Sequence, residues 1–221
     1  MTSLQLKLNS LNAEGQTISL NRQVSIAGRI SNAQTEKAIA GAWVEIITMP
    51  AKFARRCQLK SLKYSAWEQM VERIDRTLTA SDGFFYFADL PEGDYTLRVS
   101  IPGMGNRYHI KEVSTTVSSS DKDKQVLQIA LTPTTIKGKI TNLNNQPVAM
   151  ARVQLADSLE STLSDSEGDY LLWGLEANPD SQSLRPVRII ASASGYQTTD
   201  KNLSIALGEV KTINFSLAST Q

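Results

Sequence analysis

Hydrophobic and polar side chains alternate over short runs in the first half of the chain, and turn residues separate the runs. Tyr95, Leu97 and Val99 alternate with polar residues, which predicts a β-strand with one face turned towards a core. The aromatic run Phe84–Phe87 predicts another short strand, because aromatic side chains suit a half-buried sheet surface. A turn precedes this run at Asp82-Gly83. The pattern indicates antiparallel β-structure with tight turns.

The same pattern occurs twice along the chain. The first copy opens with VSIAGRISNAQTEKAIAGAWVEII at 24–47, and the second opens with TTIKGKITNLNNQPVAMARVQLA at 134–156. Farther on, TASDGFFYFADL at 79–90 matches SDSEGDYLLWGL at 164–175. An internal repeat of this kind indicates two copies of one structural unit. The matched positions are Gly28 and Gly138, Ile30 and Ile140, Ala42 and Ala151, Val44 and Val153, Gly83 and Gly168, Leu90 and Leu175, and Gly103 and Gly195.

The repeat predicts an all-β chain made of two β-sandwiches in tandem, because short strands at regular spacing with Gly, Pro and Asp turns are typical of sandwiches. We place the first sandwich at 21–132 and the second at 133–221. Residues 1–20 precede them as an N-terminal extension in which leucines alternate with polar residues. This extension is either an edge strand of the first sandwich or a strand that pairs with the sheet edge of a partner.

The first copy carries about 25 residues that the second copy lacks, at about 49–76. Within this insertion, Ser65 and Glu68 have the spacing of a helix-capping box. Hydrophobic residues follow at the intervals of one helix face, namely Trp67, Met70, Val71 and Ile74. The insertion is therefore predicted to contain a short helix that starts at Ser65. Trp67, Met70 and Ile74 are expected to pack this helix against the sandwich.

The part of the insertion ahead of Ser65 is strongly basic, with five cations and no acid between Glu45 and Glu68. A solvated surface and a docking patch for an acidic protein both explain such a run. If it is a docking patch, the N-terminal strand is a second candidate contact. Six residues of the insertion are the candidate contacts with a protein partner: Phe53, Arg55, Arg56, Lys60, Lys63 and Tyr64.

Composition narrows the chemistry. The 221 residues carry a net charge of +1, and few aromatic residues are available for stacking on bases, so nucleic acid is not expected as a ligand. One cysteine and one histidine, Cys57 and His109, cannot supply the three or four ligands of a zinc site. No nucleophile–base pair or phosphate-binding loop is present in the sequence. We expect no enzyme activity, no metal and no cofactor.

The two copies resemble the carboxypeptidase regulatory-like module, a transthyretin-like or prealbumin-like β-sandwich. The residues that carry the resemblance are the G-x-I strand, the A-x-V hairpin and the corner glycine of each copy, the D-x-x-G of the second copy, and Gly93, Tyr95 and Leu97 in the first copy. The first copy departs from the pattern at Asp94, which is inserted between Gly93 and Tyr95. The second copy departs from the pattern by a longer loop, Glu176–Pro186. The resemblance implies that these motif residues build turns and core rather than a catalytic site.

The insertion and the strands after it resemble a narrower group, the modules encoded with phage-tail-like contractile injection systems. The cues are F-x-x-x-x-x-L-K at Phe53–Lys60, W-E-x-M at Trp67–Met70, E-R-x-D-R-T at Glu72–Thr77 and P-G-x-G-x-R-Y at Pro102–Tyr108. This resemblance implies a structural component that contacts cap, sheath or tube proteins, and it leaves self-association open. No window of the sequence is apolar enough for a membrane span, and the N-terminus lacks a signal-peptide pattern, so a cytoplasmic location is expected, free or within a released or membrane-attached particle.

A different function class is left open, namely binding of carbohydrate or another surface ligand by the sandwich loops. Trp173 precedes a Gly-Leu turn and is the candidate aromatic contact for such a ligand. The acidic turn Asp165–Asp169 has some likeness to a calcium loop, but it lacks the spaced acids and the terminal glutamate of an EF-hand. Ordinary turn chemistry is the simpler interpretation of that turn.

Overall fold

A computed structural model describes the chain at 5–11, 17–104, 106–118, 126–179 and 183–220, with side chains from Gln23 onward. Residues 1–4 and 12–16 of the N-terminal extension, and Gly105 of the P-G-x-G-x-R-Y cue, lie outside the described residues. Strands and turns make up nearly all of the described chain, together with one α-helix. The chain forms two compact units: the first is Met1–Pro102 with Ile110–Leu131, and the second is Gly103–His109 with Thr132–Gln221.

The first unit is a sandwich of two four-stranded sheets. One sheet has the order β1-β2-β5 with β8 also paired to β2, and the other has the order β4-β3-β6-β7. Strand β1 pairs antiparallel with the first half of β2, from Gln5 opposite Gln23 to Leu11 opposite Thr17. The elements of this unit are β1 (Gln5–Leu11), β2 (Thr17–Asn32), β3 (Trp43–Thr48), α1 (Ala51–Lys63), β4 (Arg76–Leu78), β5 (Phe84–Ala88), β6 (Gly93–Ser100), β7 (Lys111–Val117) and β8 (Leu127–Leu131).

The second unit repeats this arrangement without a helix in its described part. Its sheets have the orders β12-β9-β15, with β16 also paired to β9, and β11-β10-β13-β14. The strands β2–β8 of the first unit thus have counterparts here that follow the same order along the chain and pair in the same way. The strands are β9 (Thr135–Asn142), β10 (Arg152–Leu155), β11 (Ser161–Leu163), β12 (Asp169–Trp173), β13 (Arg185–Ser192), β14 (Thr199–Ile205), β15 (Val210–Thr212) and β16 (Phe215–Leu217).

The cores form as the alternation predicted, because successive side chains of a strand point to opposite faces of its sheet. Tyr95, Leu97 and Val99 of β6 are buried, and so are Phe85 and Phe87 of β5. In the second unit Ile136, Ile140, Tyr170, Ile189 and Phe215 belong to one hydrophobic cluster. The predicted fold class, all-β with tandem sandwiches and a helical insertion in the first, is confirmed.

One matched pair of glycines shows why the repeat keeps that residue. Gly83 and Gly168 have φ of 80° and 77°, a conformation that residues with a Cβ rarely adopt. A Cβ at either position would lie 2.5 Å or 2.4 Å from a carbonyl oxygen, of Ile30 and Ile140 respectively. Both glycine carbonyls accept a 2.8 Å hydrogen bond from the amide of that same isoleucine. The corner of each sandwich therefore depends on a glycine.

The helix of the insertion lies earlier in the chain than the sequence predicted. Helix α1 covers Ala51–Lys63, whereas the segment after Ser65 forms only a 3-10 turn at Trp67–Gln69. No side chain caps that turn, so the predicted capping box does not form. The prediction of a helix starting at Ser65 was wrong, because only Trp67 of its hydrophobic residues is deeply buried and the chain continues through bends into a tight turn closed by Arg73 and Arg76. Trp67 is buried, as expected, while Met70 and Ile74 are only half-buried.

Among the described residues, no helix combines the length and the apolar character that a membrane crossing requires.

Candidate functional site

Helix α1 begins after Pro50, whose φ of −59° suits the position that precedes a helix. The Pro50 carbonyl accepts hydrogen bonds from the amides of Phe53 and Ala54, at 2.9 and 3.0 Å. The first turn contains no acid, and the last turn contains Lys60 and Lys63. Cations near the C-terminus of a helix interact favourably with the helix dipole, so Lys60 and Lys63 favour the last turn of α1.

Phe53 and Cys57, one helical turn apart, attach α1 to the sandwich. Both are buried, and the Phe53 ring meets the Tyr95 ring edge-on, with centroids 6.2 Å apart. The Cys57 sulfur lies 3.9 Å from the sulfur of Met49. Phe53 was predicted to contact a partner, but its side chain is 2% exposed, so it packs in the core and supports α1 instead of offering a contact surface.

Four cations recur along one flank of α1, which we call the basic flank. Lys52, Arg56 and Lys60 are four residues apart, so helical geometry places them in a row, and Lys63 continues the row three residues later. Lys60 is half-buried and the other three are exposed. Among the described residues none of the four forms an ion pair. The basic flank therefore presents unneutralised positive charge to solvent.

Arg55 occupies a different side of α1. Leu62, seven residues later and therefore on the same side, is 79% exposed. Leu59 is also largely exposed, whereas Phe53 and Cys57 are on the buried side. The predicted contacts Arg55 and Lys63 are both at the surface, but only Lys63 belongs to the basic flank.

A groove with a volume of about 490 Å³ runs alongside the basic flank. Four of the six predicted contact residues line it, namely Phe53, Arg56, Lys60 and Tyr64. The opposite wall comes from β5, through Tyr86, Phe87 and Ala88. The insertion and the aromatic strand, which are separate in the sequence, thus form one concave surface within the first unit. We call this surface the insertion groove.

The floor of the insertion groove contains two buried arginines. Arg73 Nη2 lies 2.5 Å from Glu45 Oε1, and Arg73 Nε lies 3.0 Å from Asp75 Oδ1. Burial raises the pKa of the Asp75 carboxyl, and the charge of Arg73 opposes this effect. Arg76 donates to the carbonyls of Glu68 and Met70. These ion pairs and hydrogen bonds hold the chain that follows α1 against the sandwich.

Each buried arginine also lies over an indole ring. The guanidinium carbon of Arg73 is 5.1 Å from the centroid of Trp67, and that of Arg76 is 4.5 Å from the centroid of Trp43. Such contacts add cation–π attraction where water is excluded. Trp43 is therefore half-buried beneath Arg76. The positive charge of the floor is already matched by Glu45 and Asp75, in contrast to the basic flank.

The sequence did not identify the strand β5 wall or the role of the buried arginines. The only signal for the arginines was the motif E-R-x-D-R-T, in which Arg76 follows Asp75 directly and Arg73 precedes it by two residues. The aromatic run Phe84–Phe87 predicted a half-buried strand, but it did not show which of its side chains face outward. Which segment would lie across from them depends on tertiary structure, and no local pattern encodes it.

Trp173, the candidate carbohydrate contact, is the last residue of β12 and is 44% exposed. Among the Phe, Trp and Tyr side chains in the described part of the second unit, only Trp173 is exposed. In the acidic turn nearby in sequence, Asp165 Oδ1 accepts hydrogen bonds from the amides of Glu167 and Asp169, both at 2.9 Å. That carboxylate caps its own turn. Over the described ranges, no three acidic, histidine or cysteine side chains are grouped to hold a metal ion.

Comparison with known proteins gives one family match. Residues 135–218, within the second unit, match the family described as carboxypeptidase regulatory-like domain. No curated protein sequence matches the chain.

Several solved structures have a similar fold at low identity. The shaft pilin SpaA from Lactobacillus rhamnosus GG is 12% identical over 90% of this chain and 98% of that chain, with a TM-score of 0.36. A streptococcal ancillary pilin is 12% identical over 88% of this chain and 62% of that chain, with a TM-score of 0.32. A type II cohesin–X-dockerin complex from Acetivibrio cellulolyticus is 15% identical over 39% and 58%, with a TM-score of 0.32. The chain thus spans less than two thirds of the last two, and likeness at this level carries no argument about function.

Proposed function

We propose that this chain is a non-enzymatic protein that acts through protein–protein contacts, with the basic flank of α1 as its main contact surface. In the finer form of this proposal it is an accessory or cap-associated component of a contractile injection system, and its partners are cap, sheath or tube proteins. It would be made in the cytoplasm and assembled there into the particle.

The observation that carries the proposal is the unneutralised charge of the basic flank. Like charges four residues apart weaken a helix by about 0.2–0.5 kcal/mol per pair, and α1 contains two such pairs, Lys52–Arg56 and Arg56–Lys60. This repulsion offsets what Lys60 and Lys63 gain from the helix dipole, so the stability of α1 does not explain the row of cations. They lie on an insertion that the second copy of the repeat lacks. A contact with an acidic protein surface gives a reason for both facts.

The finer form rests on the resemblance of the insertion and the following strands to modules of contractile injection systems. Its cues coincide with residues that shape the contact surface: Phe53 holds α1 down, Trp67 lies under Arg73, and Arg76 lies over Trp43. The packing of Phe53, Trp67 and Arg76 therefore fixes the position of the basic flank on the sandwich.

The experiment is a pull-down with the tagged full chain from native lysate, followed by mass spectrometry and negative-stain imaging. We expect sheath, tube or cap proteins together with tail-like particles. A variant with glutamine at all four flank positions (Lys52, Arg56, Lys60 and Lys63) should lose them while keeping its far-UV circular dichroism, because glutamine is a good helix former. Recovery of the chain alone as a monomer would overturn the proposal.

The matched control removes the same number of charges elsewhere on the surface. It replaces four exposed cations by glutamine: Lys37, Arg152, Arg188 and Lys201. This control should recover the same partners as the unmodified chain. If both variants lose the partners equally, net charge rather than the basic flank is responsible, and α1 is not the contact surface.

A second candidate function, binding of carbohydrate, is favoured by the exposure of Trp173. A tryptophan with a free ring face is a common contact for sugar rings, because one side of the ring is apolar and the indole N–H is polar. A glycan array probed with the full chain and with Trp173→Ala tests this candidate. Binding that is lost in the variant would support it, and an array without signal would remove it.

A further inference from the structure

The insertion groove has an unpaired strand edge on the side opposite the basic flank. Strand β5 pairs with β2, and it pairs with no other strand among the described residues. The Ile30 amide donates to the Gly83 carbonyl, so Gly28 and Phe85 form the next hydrogen-bonded pair along the ladder. Tyr86 and Ala27, which lie between these two pairs and the next one, are then a non-hydrogen-bonded pair. The amide and carbonyl of Tyr86 point away from β2, towards the free edge.

The hydrogen bond of Phe84 also indicates that alternate backbone groups of β5 point away from β2. The Phe84 carbonyl, two residues earlier, accepts a 2.8 Å hydrogen bond from the amide of Ala80, which is not on β2. The free edge therefore begins at Tyr86, and the three residues from Tyr86 to Ala88 are the part of β5 that lines the groove. An unpaired edge of this kind is a template for one added strand.

The spacing of the basic flank fits an extended chain. Residues four apart in a helix are about 6 Å apart along its axis. Alternate side chains of an extended strand are about 6.6–6.8 Å apart and point to the same side. Acidic residues at every second position of a strand would therefore match the spacing of Arg56 and Lys60, which line the groove, and Lys52 continues the same row one turn earlier in α1.

Charge also sets which wall the acids face. Glu72 also lines the groove and repels an acid placed next to it, and Glu45 and Asp75 already pair with the arginines of the floor. Among the described lining residues, the cations without an ion pair are Arg56 and Lys60 of α1, so acidic side chains are favoured beside them. The intervening residues of the strand would meet aromatic rings, since Tyr64, Trp67 and Tyr86 also line the groove.

We propose that the insertion groove binds an extended segment of a partner protein that adds to the free edge of β5 and carries acidic residues at alternate positions. This inference rests on the proposed function and specifies the partner. A nucleic-acid strand is disfavoured because it has no peptide groups to pair with Tyr86, and because Glu72 repels phosphate.

The test uses a fluorescein-labelled nonapeptide with glutamate at every second position and valine between, and an isomer with the glutamates consecutive. The two probes have the same charge, so long-range attraction affects them equally. Fluorescence anisotropy with the full chain should show binding of the alternating probe that is about tenfold tighter. Equal affinity of the two isomers would overturn the inference.

Two protein variants locate the contact. Arg56→Gln combined with Lys60→Gln should weaken the alternating probe about tenfold, because two charge contacts are removed. Arg55→Gln removes the same type of charge from another side of α1 and should change affinity less than about twofold. An equal loss in both would show attraction by net charge and overturn the groove as the site.

A modified probe tests strand addition without altering the protein. Methylation of alternate backbone nitrogens on the edge that would face β5 removes hydrogen-bond donors and leaves the side chains intact. This probe should bind about tenfold more weakly, since main-chain hydrogen bonds supply affinity in strand addition. Unchanged binding would overturn the strand-addition mode, and preferential competition by oligothymidine would identify a nucleic-acid site instead. Either result would leave the pull-down test of the proposed function standing, because that test depends on the basic flank alone.

Discussion

Cys57 illustrates how burial on α1 controls the chemistry of a single residue. Burial, followed by the charge of Asp75, raises the pKa of its thiol to about 11, while Arg73 and Arg56 act in the opposite direction. The ordinary pKa is 9.0. At a given pH below both values, the thiolate fraction is therefore about a hundred times smaller than in an ordinary thiol.

We predict that Cys57 is nearly inert in the folded chain. Its reaction with a thiol-specific disulfide reagent at about pH 8 should be at least about a hundredfold slower in native protein than in protein unfolded by guanidinium, because the thiolate is the nucleophile. The release of coloured thiolate measures both rates. Cys57→Ser supplies the blank. Similar rates in the two states would show that the thiol is exposed.

Glu160 is a residue of the second unit whose charge matters for stability. It accepts hydrogen bonds from the Ser158 hydroxyl and, at 2.8 Å, from Arg107 Nη1. Burial alone would raise the pKa of its carboxyl, but the hydrogen bonds from Ser158 and Arg107 outweigh burial and lower the pKa below the ordinary 4.5. In acid the unfolded chain therefore binds this proton before the folded chain does.

We predict that the contribution of Glu160 is present above its ordinary pKa of 4.5 and is lost as the pH falls through the lower folded value. Glu160→Gln should reduce the free energy of unfolding by about 1 kcal/mol at neutral pH. The difference from the unmodified chain should shrink as the pH falls below 4.5. Urea denaturation over a pH series measures it. A difference that stays constant down to about pH 3 would contradict the role of ionisation.

At the scale of elements, strand positions could be predicted from the sequence because each core face shows as alternation. The insertion could not be read in the same way. Only Phe53 and Cys57 of α1 are buried, so its buried face is too narrow to show as a helical pattern among five cations. The segment after Ser65 has the better helical spacing, yet among its hydrophobic residues only Trp67 is deeply buried, and a bridge between Arg73 and Arg76 closes a tight turn instead of a helix.

Because Ser65 caps no helix in the structure, its replacement distinguishes a helix capped by Ser65 from the uncapped 3-10 turn at Trp67–Gln69. Ser65→Ala should change the free energy of unfolding by less than about 0.5 kcal/mol, because an exposed serine without a capping role contributes little. A true capping serine would cost about 1 kcal/mol. Chemical denaturation of both proteins decides. A loss at the higher value would restore the helix predicted to start at Ser65.

The buried arginines predict a much larger effect. The side chain of Arg73 is 3% exposed, and its removal would leave Glu45 and Asp75 without their closest cation. Arg73→Ala should therefore lower the free energy of unfolding of the first unit by about 3 kcal/mol. Glu68→Ala is the control, since Glu68 pairs with the same arginine but is 85% exposed, and it should cost less than about 1 kcal/mol. Equal losses would indicate that burial of the arginine is not decisive.

At the scale of the whole molecule, the candidate site was predictable in part. From a basic run with no acids, the sequence predicted that Arg56, Lys60 and Tyr64 contact a partner, and the structure places all three along the insertion groove. The sequence placed Phe53 with them, since no sequence pattern showed which side of α1 faces the core. The wall made by β5 required the fold, because strands about 20 residues farther along are brought against α1 only by the packing of the sandwich.

The division into units also differs from the repeat in the sequence. Gly103–His109 lies inside the first copy of the repeat, but it packs with the second unit. The Arg107 side chain donates to Glu160 at 2.8 Å, to Glu176 at 2.7 Å and to the Gly174 carbonyl at 2.5 Å. The Thr134 amide in turn donates to the Arg107 carbonyl. The Asn106 carbonyl also accepts a hydrogen bond from the Ala177 amide, so Arg107 and the backbone together attach this short segment to the second unit.

We therefore predict that Arg107→Ala destabilises the second unit although residue 107 belongs to the first repeat. Loss of three hydrogen bonds, two of them to carboxylates, should reduce its stability by about 2 kcal/mol. Hydrogen exchange followed by mass spectrometry should show the amides of β9 and β13 exchanging up to about 30-fold faster, with those of β3 and β6 unchanged. Arg98→Ala, which removes an exposed ion pair with Glu112 in the first unit, is the control and should leave β9 and β13 unchanged. Faster exchange confined to β3 and β6 in Arg107→Ala would assign the segment to the first unit instead.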